Sequence, residues 1–304
     1  MVNTEASDRR NRRIRVLVGL ILLGGFLIQC QQAISEKSDA TFSAAVKGQA
    51  KPGPRVALAA LASGKPMALE SIEEQAARDP ITFLEAALEK YDRTVRDYTC
   101  TFTKQELVGG RLTKEQVIEA MFREKPFSVR FKWTRNADKC DRVLYVTDRW
   151  VEDGRQMAVV EPGPIARLFV SHVMRPIHGK DARKSSRRTI DQFGLRNALT
   201  LTLKYCRAAE KQGSLHFSYQ GKSEVNQRET LVFERRLPYA GEDGFWPDRV
   251  LVVHIDKELL LPTLCLCYAD DEKKVLLGKY MNTDIKLNAN LADSVFTKHG
   301  MGIH

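Results

Sequence analysis

Residues 79–106 read DPITFLEAALEKYDRTVRDYTCTFTKQE and predict a helix that leads directly into a strand. Asp79 is a suitable N-cap, and Pro80 fits the first helical position, where no backbone N–H is needed. Apolar residues then recur at helical spacing and form one stripe: Ile81, Leu84, Leu88, Tyr91 and Val95. From Asp97 the period changes to two, so that Cys100 and Phe102 share one face of a half-buried strand. We therefore expect a helix laid against a sheet.

Short alternating segments follow along most of the remaining chain. Turn residues such as Asp153-Gly154 separate them, and the segment 115–123 also suits a helix. The predicted strands after the first are 115–123, 128–133, 141–147, 156–160, 216–224, 228–237, 249–255, 263–269 and 273–285. About ten or eleven strands joined by tight turns predict one antiparallel sheet, and a sheet of that size must curl. The expected fold is mainly β (α+β), a half β-barrel with helices covering its concave side.

The strand pattern pauses between residues 162 and 211. Pro162-Gly163-Pro164 leads into IARLFVSHVM (165–174), which predicts a short apolar helix. A basic loop, RPIHGKDARKSSRR (175–188), comes next. Thr189 and Gln192 match a capping box and predict a helix from Thr189 to about Lys211.

The N-terminus has the pattern of a targeting segment. Arginines precede an uninterrupted apolar run from Val16 to Ile28, which is shorter than the about 20 residues of a membrane span and suits a signal peptide or signal anchor within residues 1–33. Cys30 is a candidate lipidation site, although Gln29 stands where a small residue is wanted. Residues 34–68, rich in Ala, Gly, Lys and Pro, predict a flexible linker. We expect the folded domain at 69–297, a tail at 298–304, and export to the periplasm or cell envelope with inner-membrane anchoring as an alternative to cleavage.

Charge and motifs exclude several classes of function. The net charge of +10 belongs partly to the N-terminal arginines, and no basic patch with interleaved aromatic residues indicates nucleic-acid binding. No G-x-S-x-G, H-E-x-x-H or P-loop motif is present. Cys265 and Cys267 share a face of one strand and are expected to be buried thiols rather than metal ligands. His254, within an apolar strand, is expected to be a core residue. The sequence therefore predicts neither an enzyme nor a cofactor or metal.

Three segments resemble a known family. They are DYTCTFTKQE (97–106) with PFSVRFKW (126–133), VHIDKELLLPTLCLCY (253–268) and YMNTDIKLNANLADSVF (280–296). Together they resemble a bacterial envelope family of unknown function that is similar to the LolA-like outer-membrane lipoprotein carriers. The resemblance implies a half-barrel whose cavity holds the acyl chains of lipid or lipoprotein.

Two groups of residues are candidates for contact with such a ligand. The expected cavity wall is Phe102, Val129, Phe131, Trp133, Leu144, Val146, Phe217, Phe233, Val252, Leu264 and Leu266, although a register error of one residue would invert any strand. The basic loop offers candidates for contact with a membrane or anionic lipid: Arg175, Lys180, Arg183, Lys184, Arg187 and Arg188. We expect a monomeric, non-enzymatic protein that binds or carries lipid or lipidated protein. The alternatives are an envelope module that binds another protein and a hydrolase with an unrecognised site.

Overall fold

The helix that opens the domain begins where the sequence predicts. The structure, a computed structural model, describes residues 71–303, so the predicted signal segment, the linker and Cys30 lie outside it. Asp79 caps the helix by accepting a hydrogen bond from the Thr82 N–H at 3.0 Å, and Pro80 occupies its first turn. A shorter helix precedes it, and Ser71 forms a capping box there with Glu74. Local capping and the apolar stripe therefore determine this part of the fold.

The described residues contain five α-helices and thirteen strands. The helices are α1 (Ile72–Arg78), α2 (Pro80–Thr94), α3 (Pro164–Arg167), α4 (Lys180–Ser185) and α5 (Leu195–Lys211). The first eight strands are β1 (Asp97–Val108), β2 (Arg111–Leu112), β3 (Gln116–Arg123), β4 (Ser128–Arg135), β5 (Cys140–Val146), β6 (Val151–Glu152), β7 (Arg155–Pro162) and β8 (Val173–Pro176). The others are β9 (His216–Val225), β10 (Arg228–Arg236), β11 (Val250–Asp256), β12 (Pro262–Tyr268) and β13 (Leu276–Leu287).

All thirteen strands belong to one antiparallel sheet. Its order is β6-β7-β5-β4-β3-β1-β13-β12-β11-β10-β9, while β2 pairs with β1 and β8 pairs with β7. The first strand lies at the centre because β13, the last strand, returns to pair with it, for example Phe102 with Asn282. The two ends of the path, β6 and β9, do not pair with each other, so the sheet is open. This confirms the predicted fold class, with eleven strands on the main path.

The long helices lie on one face of this sheet. Leu84 of α2 and Leu199 of α5 pack with Phe233 of β10 and Val253 of β11. Tyr91, further along α2, packs instead with residues of β1, β3 and β4. Because the same pair of helices reaches strands from both halves of the path, the sheet wraps around them. The helices therefore occupy the concave side, as predicted.

The C-terminal residues cover the opposite face, which corrects the prediction of a tail at 298–304. Met301 and Ile303 are buried with Phe296 against Leu144 and Val159 of β5 and β7. The apolar pattern after residue 297 was too short to predict this contact.

The segment between β7 and α5 differs most from the prediction. Only Pro164–Arg167 is helical, because Val173 and Met174 pair with Val160 and Val159 at the edge of the sheet. The predicted basic loop contains the end of β8 and the short helix α4. These residues form one side of the site described below.

The helix predicted from Thr189 begins later, at Leu195. Thr189 makes no capping bond, and its hydroxyl is buried without a hydrogen-bond partner among the described residues. Gly194 precedes the helix with φ of +123°, a conformation that favours glycine, and the ring of Phe122 lies 3.3 Å from where a Cβ would stand. The close approach of the backbone at Gly194 to Phe122 of β3, rather than a capping box at Thr189, therefore determines where α5 begins.

Candidate functional site

A cavity of about 780 Å³ lies between the concave face of the sheet, α5 and residues 163–193. Apolar side chains from five strands, β1, β4, β5, β7 and β11, form much of its wall, and Leu201 of α5 lies opposite them. The volume is within the range of about 300–1,000 Å³ that is typical of small-molecule sites. This cavity is the candidate site.

Aromatic rings form the centre of the wall. Phe131 of β4 packs edge-to-face on Phe193, with ring centroids 4.7 Å apart, and lies 6.0 Å from the ring of Phe102. Trp133 is next on the same strand face, and its indole N–H donates to Gln116 Oε1 at 3.0 Å. Such pairs stabilise an aromatic surface beyond simple burial and hold the rings in place.

The structure divides the eleven predicted wall residues into three groups. Phe102, Phe131 and Trp133 line the cavity. Val129 is fully buried in the same cluster, below the cavity surface. Phe217 and Phe233 face the same side of the sheet but stack on each other, with Phe83 of α2 stacked on Phe233, and belong to the core under the helices.

The prediction is wrong for the other five wall residues, because they lie on the opposite face of the sheet from the cavity. Leu144 and Val146 pack under the C-terminal residues. Val252, Leu264 and Leu266 alternate with cavity-lining or core residues of β11 and β12, so their side chains point away from the cavity. The residues that line it in their place are Val143, Leu251, Cys265 and Cys267. Each differs from a predicted residue by one position, which is the register error that inverts a strand.

The predicted basic residues also separate. Arg175, Lys180, Arg183 and Lys184 are exposed, and Arg175 lies 3.6 Å from Asp181. Arg187 is half-buried and donates to Glu242 and to the carbonyl of Pro247. Arg188 is half-buried and lines the cavity. Arg187 and Arg188 therefore lie apart from the exposed basic side chains of this segment, and contact of any of the six with a membrane or anionic lipid stays a prediction.

A buried carboxylate joins the wall to the segment that covers it. Glu106 of β1 accepts hydrogen bonds from Ser186 at 2.7 Å, Lys104 at 3.0 Å and Tyr280 at 2.8 Å. Burial alone would raise the pKa of Glu106, but the charge of Lys104 and the hydrogen bonds hold it below its ordinary value. Since Ser186 is the C-cap of α4, this cluster fixes residues 180–186 to the sheet.

A buried ion pair closes one end of the cavity. Arg235 of β10 donates to both carboxylate oxygens of Asp248, at 3.0 and 3.3 Å, and to the carbonyl of Thr202 in α5 at 3.1 Å. Both side chains are 2% exposed. The pair therefore ties α5 to the sheet, and no pattern in the sequence indicated it.

The rim of the cavity carries the most exposed large apolar side chains of the described residues. Ile165, Leu168 and Phe169 are 80%, 81% and 84% exposed, and Phe169 also lines the cavity. Arg167 lies among them and pairs with Asp141 and Glu161. Exposed apolar residues next to cations are typical of a surface that meets a membrane or a partner.

Burial favours the neutral forms of the described thiols and of His254. Cys100, Cys140, Cys206, Cys265 and Cys267 are free thiols, and burial raises the pKa of Cys265 to about 12. His254 contacts the Thr230 hydroxyl at 3.2 Å, and burial lowers its pKa. Within residues 71–303, no three His, Cys, Asp or Glu side chains are grouped to hold a metal. None of the helices in that range is long and apolar enough to cross a membrane.

Comparison with known proteins gives three examples of similar structures. A DUF1329 family protein from Desulfovibrio piger aligns at 14% identity and a TM-score of 0.37, over 73% of this chain and 99% of that one. A putative outer membrane lipoprotein-sorting protein domain from Vibrio parahaemolyticus aligns at 12% identity and 0.34, over 72% and 96%. The MucA/MucB complex of Pseudomonas aeruginosa aligns at 16% and 0.41, over 72% and 61%.

No curated protein matches the sequence. A family model matches residues 95–300, and its description is a protein of unknown function, DUF1571. The match covers more than half of the chain, from the start of β1 to the C-terminal turn. The resemblance to a family of unknown function is confirmed, and this chain belongs to the DUF1571 family.

Proposed function

We propose that this protein binds or carries lipid or lipoprotein acyl chains in the cavity, without catalysing a reaction. The observation that carries the proposal is the apolar, aromatic-lined cavity of about 780 Å³ on the concave face of the sheet. Each methylene group that leaves water contributes about 0.8 kcal/mol, so ten of them approach the free energy of micromolar binding. An apolar cavity of this size therefore favours a long hydrocarbon ligand.

The state of the reactive groups supports a binding role over hydrolysis. A thiol whose pKa is about 12, as for Cys265, is protonated at neutral pH and is a poor nucleophile. Glu106, one of two buried carboxylates of the cavity, has its oxygens engaged by Ser186, Lys104 and Tyr280, and the other, Asp248, is engaged by Arg235. These contacts give Glu106 a structural role in holding residues 180–186 to the sheet, which supports a binding role for the cavity.

We further propose that the rim contacts an anionic membrane surface in the cell envelope. Ile165 and Leu168 are exposed there, and Lys180, Arg183 and Lys184 are exposed on α4 in the same segment. A basic side chain near an anionic bilayer contributes about 1 kcal/mol, and apolar side chains beside it add burial in the headgroup region. Ala166 and Phe169 are part of both the rim and the cavity wall, so a chain leaving the membrane would meet the cavity directly.

The test is organic extraction of the mildly purified full chain, followed by mass spectrometry of the extract. We expect acyl lipids from the wild type and their loss in the Leu201→Trp variant, because residue 201 lines the cavity and the larger ring would fill it. Thr200→Trp is the matched control, since Thr200 is exposed on the same helix. A preparation with no acyl chains that also fails to bind added palmitate would contradict the proposal. A stoichiometric protein partner without lipid would favour the alternative of a protein-binding envelope module.

A further inference from the structure

We propose that Arg188 binds the anionic headgroup of an amphiphile, a carboxylate or phosphate, while its hydrocarbon chain lies on the aromatic wall. This inference rests on the proposed function and specifies the ligand class for the same cavity. Six basic and four acidic side chains line the cavity. Most of these ten charges are stabilised either by exposure to water or by a charged partner.

Five of these ten groups are exposed at the rim: Asp138, Lys139, Arg175, Asp181 and Lys184. The other five are buried or half-buried. Lys104 pairs with Glu106 at 3.0 Å, and Arg235 pairs with Asp248 at 3.0 Å. Arg188 remains, and its guanidinium makes no hydrogen bond or ion pair with any residue between 71 and 303. It is thus the one inward charge of the cavity lining, within the part of the chain described, that lacks a partner.

The surroundings of Arg188 do not neutralise it. Asp248 is the acidic group that acts on its charge, yet both oxygens of Asp248 are engaged by Arg235. Its other charge neighbours are Tyr280, Tyr205 and Cys267, which are neutral at physiological pH. Lys204 adds a second cation nearby. The guanidinium cannot lose its proton, so a positive charge remains on the cavity wall in a region where apolar surface surrounds it.

The shape of the group selects the kind of ligand. A guanidinium presents parallel N–H donors that match the two oxygens of a carboxylate or phosphate. A neutral amphiphile would displace water from Arg188 and leave the charge without a partner, which is unfavourable. An anionic amphiphile would pair with it while Phe131, Phe102 and Val143 cover the chain. The cavity should therefore distinguish ligands by headgroup charge as well as by chain.

The experiment compares palmitate with hexadecanol, which has the same chain length and no charge, on the full chain freed of lipid. We expect palmitate to bind about tenfold more tightly, as one charge-assisted hydrogen bond would give. In Arg188→Met the preference should vanish, because palmitate loses its partner and hexadecanol no longer leaves a buried charge unpaired, so hexadecanol should bind at least as tightly as to the wild type. Arg183→Met removes a nearby exposed charge outside the cavity and should keep the preference. Because Arg188 has no partner to lose, its replacement by Met should not lower the melting temperature, and Arg188→Lys should retain part of the preference.

Each contrary outcome has a distinct meaning. Equal binding of palmitate and hexadecanol, or a preference that survives in Arg188→Met, would overturn the inference and leave the proposed function standing. Binding of neither ligand would overturn both. Displacement of palmitate by millimolar inorganic phosphate would also overturn the inference, because the site would then recognise a small free anion rather than an amphiphile.

Discussion

Glu106 shows how a single polar side chain can be integral to an apolar site. It stands on the strand that the sequence identified from Cys100 and Phe102, yet it is 1% exposed. The cost of burying its charge is offset by Lys104, Ser186 and Tyr280. The contact with Ser186 links residues 80 positions apart, so no local pattern predicts it. The site consequently depends on a carboxylate whose role no local pattern in the sequence indicates.

This arrangement makes stability depend on pH in a defined direction. The folded-state pKa of Glu106 lies below its ordinary 4.5, because the charge of Lys104 and the hydrogen bonds outweigh the effect of burial. Its stabilising effect is therefore fully present above about pH 4.5 and is lost as the pH falls through the lowered pKa. We expect Glu106→Gln to reduce the free energy of unfolding by about 3 kcal/mol at neutral pH, with a smaller difference from wild type in acid. Urea denaturation over a pH series measures both quantities.

Glu115 supplies the matched control for that series. It pairs with Lys279 and Arg135, but its side chain is 34% exposed. Since exposed ion pairs contribute at most about 1 kcal/mol, Glu115→Gln should change stability little. Equal destabilisation by the two substitutions, or a pH-independent loss in Glu106→Gln, would show that the cluster does not act as argued.

At the scale of elements, the sequence predicted where strands lie better than which way they face. The run from Val143 to Val146 is apolar or aromatic at every position, so alternation with polar residues could not fix its register. The structure turns Val143 and Tyr145 toward the helices and Leu144 toward the C-terminal residues. In β12 the larger Leu264 and Leu266 were expected inside, but Cys265 and Cys267 face α5. Small side chains suit a helix that packs closely on the sheet.

The segment 165–174 is where the prediction and the structure differ most. The sequence predicted one short apolar helix over 165–174, but Val173 and Met174 enter β8, while Ile165, Leu168 and Phe169 stay exposed at the rim. A run of apolar residues does not itself reveal whether it will face a core or a surface. Here the short pairing of β8 with β7 leaves Ile165 and Leu168 without a covering element among the described residues.

If the rim contacts a membrane, these two residues should contribute to binding. We expect Ile165→Ser combined with Leu168→Ser to weaken binding to vesicles that contain phosphatidylglycerol by at least about tenfold, since two aliphatic side chains lose burial. Neither residue lines the cavity, so palmitate affinity should be unchanged. Vesicle co-sedimentation measures the first effect and ligand titration the second.

Val151→Ser is the control for the rim, because Val151 is 53% exposed on β6. It should bind vesicles as the wild type does. Higher salt should weaken binding of the wild type to anionic vesicles, because salt screens the attraction between the basic side chains of α4 and the lipid headgroups. Unchanged sedimentation of the double variant would remove the rim from the proposed function without affecting the cavity.

On the scale of the whole molecule, the architecture could be predicted because its causes are local and repeated. Tight turns between alternating segments require antiparallel neighbours, and a long antiparallel sheet must curl. The return of β13 to β1, which places the first strand at the centre, depends instead on contacts between distant residues such as Phe102 and Asn282. The cavity results from this pairing of β13 with β1 and from the inward fold of residues 163–193. Its lining could therefore be predicted only in part.

A ligand that fills such a cavity should reveal its dimensions through chain length. In a series of saturated fatty acids from octanoate to palmitate, we expect the dissociation constant to fall about fourfold for each added methylene that enters the cavity, since each contributes about 0.8 kcal/mol. The trend should stop once the chain extends past Phe169 into water, because further methylenes bury no new surface. Leu201→Trp should move that limit to shorter chains, whereas Thr200→Trp should leave it in place. An affinity that does not depend on chain length, or a limiting chain length that is the same in Leu201→Trp, would mean that the hydrocarbon binds elsewhere on the molecule.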